Sequence, residues 1–286
     1  MANKIQLRTA ADFYAFLKRD FGSGTSEEYL EVELLKDIDM NDLSDDPYIP
    51  FNAMECCNGY EPFYIHFDGK NHTVKNLYIN NISGYAYLFP FRNTASEIKN
   101  LIFKDFFIIA QHVSIIGSSN SSGHGYAYNV HLFGNAFSFR DNYAFYIYYA
   151  EKCSYNGMKI SFFNNDNYTF CNTRCIDCFM KVAADIHHDV HMFKGHEYVT
   201  NAVVYLKGCK DCRILASGRI SYSIFVIEDA AGEVIMPKGK SVLYDKDVVD
   251  AKGLNVTGDA TPETTAHLKD PVYMYEKYGF EYYLED

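Results

Sequence analysis

Two CxxC pairs give the sequence its strongest metal-binding pattern. Four thiolates from such pairs can surround a zinc ion tetrahedrally. The 30 residues between the two pairs exceed the usual spacing of about 15–20, and Cys153 fits the same pattern as the first cysteine of each pair. An interpretation in which the cysteines fill equivalent positions of a structural repeat is therefore favoured over zinc. The metal candidates are Cys175, Cys178, Cys209 and Cys212.

A second group of potential ligands is the histidine cluster of the segment DIHHDVHMFKGHE (185–197). Imidazoles at this density can bind zinc and other transition metals. No HExxH or comparable signature accompanies them, so a solvated loop is the favoured interpretation. We therefore predict no metal and no cofactor. The histidines concerned are His187, His188, His191 and His196.

Paired carboxylates would indicate a glycosidase, whose two acidic groups lie roughly 5–10 Å apart. Asp141 could meet Asp166 or Glu151, but the sequence singles out no pair among its 37 acidic residues. The motifs of phosphate-binding loops, dinucleotide-binding folds and serine hydrolases are absent from the sequence. We therefore predict no catalytic residue.

Tyrosines are the most abundant candidates for a binding surface. The chain has 25 of them, and the segment DNYAFYIYYAEK (141–152) places several at alternating positions. Exposed rows of tyrosine suit stacking against sugars and contacts with other proteins. Tyrosine is equally common as a packing residue in strands, and both interpretations stay open.

The charge balance excludes some partners. The chain carries 26 basic and 37 acidic residues, a formal charge of −11. Such a chain has no general electrostatic reason to bind nucleic acid or an anionic membrane. The first 20 residues contain no apolar signal-peptide core, and the sequence has no uncharged apolar stretch of about 18 residues. We therefore expect synthesis in a cytoplasm and neither nucleic acid nor a membrane as a partner.

Three regions are expected along the chain. Residues 1–27 carry a capping helix, because Thr9 and Asp12 resemble a capping box and apolar residues follow with helical spacing over residues 10–19. Residues 28–245 have short segments with the strand pattern, beginning with a first strand at residues 29–40, separated by Asn, Gly, Ser and Asp.

Residues 246–286 are expected to form a linker and a closing segment. The polar stretch 250–266 is predicted to be a linker or extended loop. A last helix is predicted from Pro271 to Tyr278, because proline suits the first helical position and Gly279 suits the residue after the helix.

A loose repeat runs through the middle region. Six segments align on one column with steps of 24, 29, 27, 22 and 34 residues, and such spacing indicates stacked turns of a parallel β-solenoid. Inward asparagines would then form a hydrogen-bonded ladder in which cysteine can replace them as a small buried residue. The ladder residues are Asn76, Asn100, Asn129, Asn156, Cys178 and Cys212.

The stretch FDGKNHTVKNLYI (67–79), followed by YLFPF (87–91) and EIKNLIF (97–103), resembles the right-handed parallel β-helix proteins with GLUG-type repeats. RTAADFYAFL (8–17) resembles the capping helix of that family, and TTAHLKDPVYMYEKYGFEYY (264–283) its closing segment. The resemblance implies an all-β, right-handed parallel β-helix. It implies adhesive or structural modules of bacterial surfaces and phage appendages, without a single activity.

The expected function is a non-enzymatic virion component of a phage, either a tail fibre, a receptor-binding protein or a capsid appendage. We expect a homotrimer that contacts other virion proteins and binds a host surface glycan through many weak contacts. The alternatives are a polysaccharide lyase or hydrolase on the same scaffold, a bacterial cell-surface adhesin, and a zinc-stabilised interaction module.

Overall fold

The computed structural model of the protein describes residues 4–56, 62–91, 95–117, 125–161, 167–171, 174–176, 178–187, 190–194, 198–200, 202–216, 219–237, 239–280 and 284. Strands dominate these ranges, in keeping with the Tyr- and Phe-rich composition. The strands are β1 (Lys4–Leu7), β2 (Leu30–Leu34), β3 (Ile38–Asp39), β4 (Ile65–Lys75), β5 (Tyr78–Phe89), β6 (Glu97–Gly117), β7 (Tyr126–Ser138), β8 (Asn142–Tyr146), β9 (Tyr149–Glu151), β10 (Ser154–Ser161), β11 (Asn167–Cys171), β12 (Arg174–Ile176), β13 (Phe179–His187), β14 (Val190–Lys194), β15 (Tyr198–Thr200), β16 (Val203–Ala216), β17 (Arg219–Met236), β18 (Gly239–Asp245), β19 (Asn255–Gly258) and β20 (Thr261–Glu263). The α-helices are α1 (Ala10–Leu17), α2 (Lys246–Lys252), α3 (Thr265–Leu268) and α4 (Pro271–Tyr278).

The ladders between these strands are parallel throughout the described ranges. One series of ladders runs from β4 to β6, β7, β10, β13, β16 and β17. The chain is therefore an all-β protein built on parallel strands, as the sequence predicts. No helix in the described ranges has the length and apolar character needed to cross a bilayer.

The number of residues between paired positions varies along the chain, from 36 between Ile38 and Val74 to 18 between Leu243 and Thr261. Glu31 pairs with His66, 35 residues later. Tyr126 pairs with Tyr149, and Ile220 pairs with Gly239, so that the interval shortens from 35 to 23 and then to 19 residues. The strands keep their parallel pairing while the length of chain between them changes.

Buried rows cross the strands at right angles to the chain. One such row begins with Val32 and Phe67 and continues with alanines and Cys175, while the adjacent positions, such as Glu31 and His66, face outward. This alternation follows from the two-residue period of a strand, which turns successive side chains to opposite faces. The row consists of Val32, Phe67, Ile98, Ala127, Ala150 and Cys175.

Helix α1 has the predicted capping box. The Asp12 amide donates to the Thr9 hydroxyl over 3.1 Å, and the Thr9 amide donates to the Asp12 carboxylate over 3.0 Å. The helix buries Phe13 and Phe16 against the strands, and the Phe16 ring stacks on Phe63 with centroids 4.9 Å apart. The predicted N-terminal helix is confirmed, ending at Leu17 instead of residue 19.

Helix α4 spans the predicted residues, with Pro271 in its first turn and Gly279 in the left-handed conformation at φ 72°. Together with α3 it covers a small second core against β17 and β18. The buried residues of this second core are Ile224, Val226, Leu243, Leu268, Met274, Phe280 and Leu284.

Three expectations about local structure are wrong. Residues 250–266 are not a linker: they contain the end of α2, strands β19 and β20, and the start of α3. The first strand is interrupted, and β1 precedes α1 and pairs with β2. The strands are also longer than expected, because residues with left-handed backbone, such as Asn100 and Asp105 inside β6, bend the strand without ending its ladder.

Candidate functional site

A groove of about 740 Å³ crosses the outer face of β6, β7 and β10. Its walls combine aromatic rings with amide and charged groups, which suits a ligand with both apolar and hydroxyl-bearing surfaces. The groove is lined by Ile102, Lys104, Asp105, Phe106, Phe107, Phe133, Gly134, Asn135, Asn156 and Gly157.

Two phenylalanines present their rings at this groove. Phe107 and Phe133 are each 37% exposed. Phe107 stacks on Tyr78 with centroids 5.8 Å apart and contacts Phe137 at 5.3 Å. The neighbouring rings therefore hold Phe107 in place as part of a row that crosses the strands.

Two glycines form the floor of the groove. A Cβ atom added at Gly157 would lie 1.8 Å from the Gly134 carbonyl oxygen, and one at Gly134 would lie 2.5 Å from the Phe106 carbonyl oxygen. Backbone segments approach here more closely than any side chain allows. The depth of the groove therefore depends on glycine at both positions.

A chain of hydrogen bonds lies beside the groove and crosses four strands. The Asn100 amide donates to Asp68 Oδ1 over 3.1 Å, and the Asn129 amide donates to Asn100 Oδ1 over 3.1 Å. Asn129 Oδ1 contacts His131 Nε2 at 3.0 Å, and His131 Nδ1 contacts Ser154 Oγ at 2.8 Å. This Asp68–Ser154 chain links side chains of β4, β6, β7 and β10.

The carboxylate of Asp68 fixes the direction of every bond in this chain. A carboxylate only accepts, so Asn100 must present its NH₂ group to Asp68 and its oxygen to Asn129. Asn129 then presents its NH₂ group to Asn100 and its oxygen to the histidine. His131 Nε2 must therefore carry the proton, which leaves the Nδ1 lone pair to accept the hydroxyl of Ser154.

The ionisation states agree with this direction. Burial opposes ionisation of Asp68, but hydrogen bonds from the Lys70 backbone and Asn100, with the Lys70 ammonium, outweigh it and hold the pKa of Asp68 below its usual value. Burial lowers the pKa of His131. At neutral pH the chain thus runs from a charged carboxylate to a neutral imidazole.

A charged cleft of about 390 Å³ adjoins the Asp68 end of the chain. Lys70 contacts Asp68 at 3.0 Å and Glu33 at 3.3 Å, and Lys4 contacts Glu33 at 2.8 Å. The contact with Lys4 lowers the pKa of Glu33. A glycosidase needs one protonated carboxyl group as its general acid. Asp68 and Glu33 both have lowered pKa values that favour the ionised form, so they do not fit that role.

The predicted cysteines divide into two groups. Cys175 and Cys178 are fully buried, as is Cys153, and none of the three forms a disulfide bond. Burial raises the pKa of both Cys153 and Cys175 well above the usual value.

Cys209 and Cys212 lie inside β16. Cys209 pairs with Ile186 and Ala230, whereas the residue that follows Cys178 pairs with Val203 at the start of β16. The two CxxC pairs therefore do not occupy equivalent positions in the paired strands. Among the described residues, no group of three or more His, Cys, Asp or Glu side chains is arranged to hold a metal.

The buried thiols should be chemically silent in the folded protein, because burial keeps an added reagent from reaching them. We expect brief iodoacetamide treatment to leave the peptides of Cys153, Cys175 and Cys178 unlabelled in native protein and to label them in guanidinium chloride. Peptide mass spectrometry measures this. Rapid native labelling, or one tightly bound zinc per chain, would contradict it.

The predicted asparagine column is only partly brought together. Asn100 and Asn129 are hydrogen-bonded neighbours, both with φ of 53°. Asn76 instead donates to Asp39 over 2.8 Å, at a different bend. Asn156 pairs with Phe133 and faces the groove, and Cys178 donates to the carbonyl oxygens of Ala150 and Ile176.

The remaining candidates are placed as follows. Asp141 contacts His112 at 2.9 Å, and Glu151 accepts a hydrogen bond from the Tyr149 hydroxyl. His187 and His191 belong to β13 and β14. The other candidates, His188, His196 and Asp166, lie outside the described residues.

Sequence reasoning missed Phe107, Phe133, His131 and Ser154 as site residues. A usable signal is present in HLFGN (131–135) and YNGM (155–158), where a glycine follows a residue of the outer face. Aligning Gly134 with Gly157 would have given the observed register of β7 and β10, because the residues directly before them, Phe133 and Asn156, are paired.

Comparison with known proteins supports the fold alone. No protein-family model matches the chain, and no curated protein matches it. Its fold is similar to that of a candidate immunoglobulin A1 protease from Bacteroides ovatus, with a TM-score of 0.50 and 13% sequence identity. The similarity covers 95% of this chain and 87% of that one.

Proposed function

We propose that the chain is a right-handed parallel β-helix that binds a surface glycan in the groove over β6, β7 and β10. Three observations support the β-helix. The ladders of the described strands are parallel, paired residues recur at intervals of 18–36 residues, and apolar rows such as the one containing Phe67 line the buried side. Such stacking lets each turn bury its apolar face on the next.

The groove carries the functional part of the proposal. A sugar ring has apolar C–H faces and a rim of hydroxyl groups. Phe107 and Phe133 offer exposed rings for the faces, and Lys104, Asp105 and Asn135 offer hydrogen-bonding groups for the rim. Polar and aromatic groups in one shallow groove are the combination that fixes such a ligand in orientation.

The setting of this binding comes from the sequence. A trimer on a phage virion would multiply weak contacts into useful avidity, and a bacterial surface adhesin would do the same. The name of the Bacteroides ovatus neighbour refers to proteolysis of immunoglobulin A1, which we do not extend to this chain at 13% identity.

Replacing Phe133 with alanine tests the proposal. The substitution removes a ring whose burial against a sugar is worth roughly 1–2 kcal/mol, so affinity should fall about five- to thirty-fold. The measurement is retention of purified bacterial surface polysaccharides, with new reducing or unsaturated ends scored in parallel. Tyr48→Ala is the matched control, because Tyr48 is 92% exposed and is not among the groove residues.

Equal retention by wild type and Phe133→Ala would remove the groove from the binding site. New chain ends would show that the protein cleaves the polysaccharide backbone, as the alternative of a lyase or hydrolase predicts.

A further inference from the structure

We propose that Ser154 is a nucleophile, activated by His131 and oriented through Asn129, that hydrolyses small O-acyl esters on the glycan in the groove. That a glycan carries the ester rests on the proposed function, whereas the hydrolytic role of Ser154 and His131 is inferred from their own geometry. The proposal departs from the non-enzymatic role that the sequence predicts.

The geometry contains the three parts of an activated serine. A hydroxyl lies within hydrogen-bonding reach of a base, since Ser154 Oγ is 2.8 Å from His131 Nδ1. The base is held by a third group, since His131 Nε2 donates to Asn129 Oδ1 over 3.0 Å. Such sites are recognised by these roles and distances and not by order in the sequence.

The orientation of the imidazole is determined by residues outside this group. The carboxylate of Asp68 sets the direction of Asn100 and Asn129, and these set the tautomer of His131. A second hydrogen bond, from the Asn129 amide to Asn71 Oδ1 over 3.0 Å, uses the other amide proton. The Nδ1 lone pair is therefore aimed at the serine hydroxyl before any ligand arrives, which is the preorganisation that a base needs.

The reaction balances without a cofactor. Ser154 Oγ attacks the acyl carbonyl carbon while its proton passes to His131 Nδ1, and the sugar hydroxyl leaves with that proton as the ester C–O bond breaks. Water then attacks the acyl-serine, gives a proton to His131, and releases the carboxylic acid as the proton returns to Ser154. Water is the only co-reactant.

A donor for the developing oxyanion lies on the same face of β10. Asn156 is two residues beyond Ser154, so both side chains point to the outer face, and Asn156 lines the groove. An amide in this position can serve as the donor that acyl transfer requires.

The surroundings limit the acyl group to a small one. Ser154 is only 7% exposed, so a long acyl chain has little room above it. Phe133 lies on the row next to His131 and Ser154, and Phe107 lies one row further on, beside Asn135; the sugar would stack on these rings. The ligand class is therefore a polysaccharide that carries O-acetyl or similarly small esters.

The test uses the full chain and two small probes. We expect hydrolysis of p-nitrophenyl acetate and stoichiometric modification of Ser154 by phenylmethylsulfonyl fluoride, located by peptide mass spectrometry. Ser154→Ala should reduce turnover to the solution background, and His131→Gln should reduce it at least about a hundredfold. Ser26→Ala, at an exposed serine far along the chain from the groove residues, should keep wild-type turnover.

Asn129 is a positioning residue, and its removal should be visible in the pH profile. Turnover of wild type should persist below the usual pKa of histidine, because burial lowers the pKa of His131. In Asn129→Ala the tautomer is no longer fixed, so kcat should fall with KM for the small ester little changed. A loss of thermal stability alone, with kcat unchanged, would contradict this role.

The two proposals fail separately. No ester turnover and no modification of Ser154 in the folded wild type would overturn the hydrolytic inference, even with the glycan retained. Turnover that persists in Ser154→Ala would overturn it as well. Loss of glycan retention with Ser154-dependent turnover intact would overturn the glycan-binding function and leave the serine site standing.

Discussion

Gly157→Ala is expected to lower the free energy of unfolding by at least about 3 kcal/mol. The new Cβ would lie 1.8 Å from the Gly134 carbonyl oxygen. Gly134 pairs with Phe106 and Gly157 pairs with Val182, so ladders with other strands hold both backbone segments in place. Overpacking of this kind costs about 1–3 kcal/mol even where side chains can move. A backbone atom cannot move aside without breaking ladder bonds, which adds to the cost.

Gly253→Ala is the matched control for Gly157→Ala. Gly253 also has a positive φ, 64°, but an added Cβ meets no atom within 4 Å. Its replacement should cost only about 1 kcal/mol, the price of left-handed backbone in alanine. Guanidinium denaturation followed by circular dichroism measures both variants. Equal losses would show that the close approach at Gly157 contributes nothing beyond backbone conformation.

Glu263→Gln is expected to destabilise the C-terminal segment strongly at neutral pH. The Glu263 side chain is 6% exposed and accepts from Lys277 over 2.7 Å, from Tyr273 over 3.2 Å and from Tyr278. His267 Nδ1 lies 2.8 Å from it. Burial opposes ionisation, but these donors outweigh it and lower the pKa of Glu263 from 4.5 to about 2.

The sign of the pH dependence follows from this lowered pKa. A carboxyl group with a lower pKa in the folded state stabilises the fold above its unfolded pKa. The contribution, roughly 3 kcal/mol, is therefore complete above about pH 5 and is lost as the pH falls from about 4.5 towards 2. The gap in stability between wild type and Glu263→Gln should close over the same range.

Hydrogen exchange of peptides from α4 measures this effect locally. Glu276→Gln, at an exposed position of the same helix, is the control and should behave as wild type at every pH. A gap between wild type and Glu263→Gln that stays constant from pH 5 to pH 2 would contradict the assignment of the stability to the ionised carboxylate.

Local signals in the sequence predicted the ends of the chain well. Thr9 with Asp12 and Pro271 with Gly279 are interactions within a few residues, so their structural meaning does not depend on the rest of the fold. The parallel, all-β character could be predicted for a different reason. Composition and repeat spacing are each averaged over many residues, so a single misread residue changes neither.

The register between repeats could not be predicted with the same certainty. Asn129 and Asn156 look equivalent in sequence, but Asn129 occupies a left-handed bend whereas Asn156 lies inside β10 opposite Phe133. Lys152 takes the left-handed conformation between β9 and β10 instead, with φ of 52°. Asparagine tolerates that conformation but does not require it, so the residue type alone does not mark the bend.

The candidate site depends on this register, so it could not be predicted from the sequence either. His131 faces Ser154 only because β7 and β10 pair in the observed alignment. A shift of β10 by one residue would turn Ser154 to the opposite face and away from His131.

The unequal intervals between paired residues, 35 near Glu31 and 19 near Ile220, bear on how such a chain can diverge. Paired residues of the described strands lie 18–36 residues apart along the chain, so an insertion at one bend alters the interval at that bend and leaves distant ladders untouched. Related chains should therefore differ by small insertions and deletions at the bends while the buried rows stay apolar. Over long divergence, homology would then persist as a pattern of burial after any common repeat length has been erased.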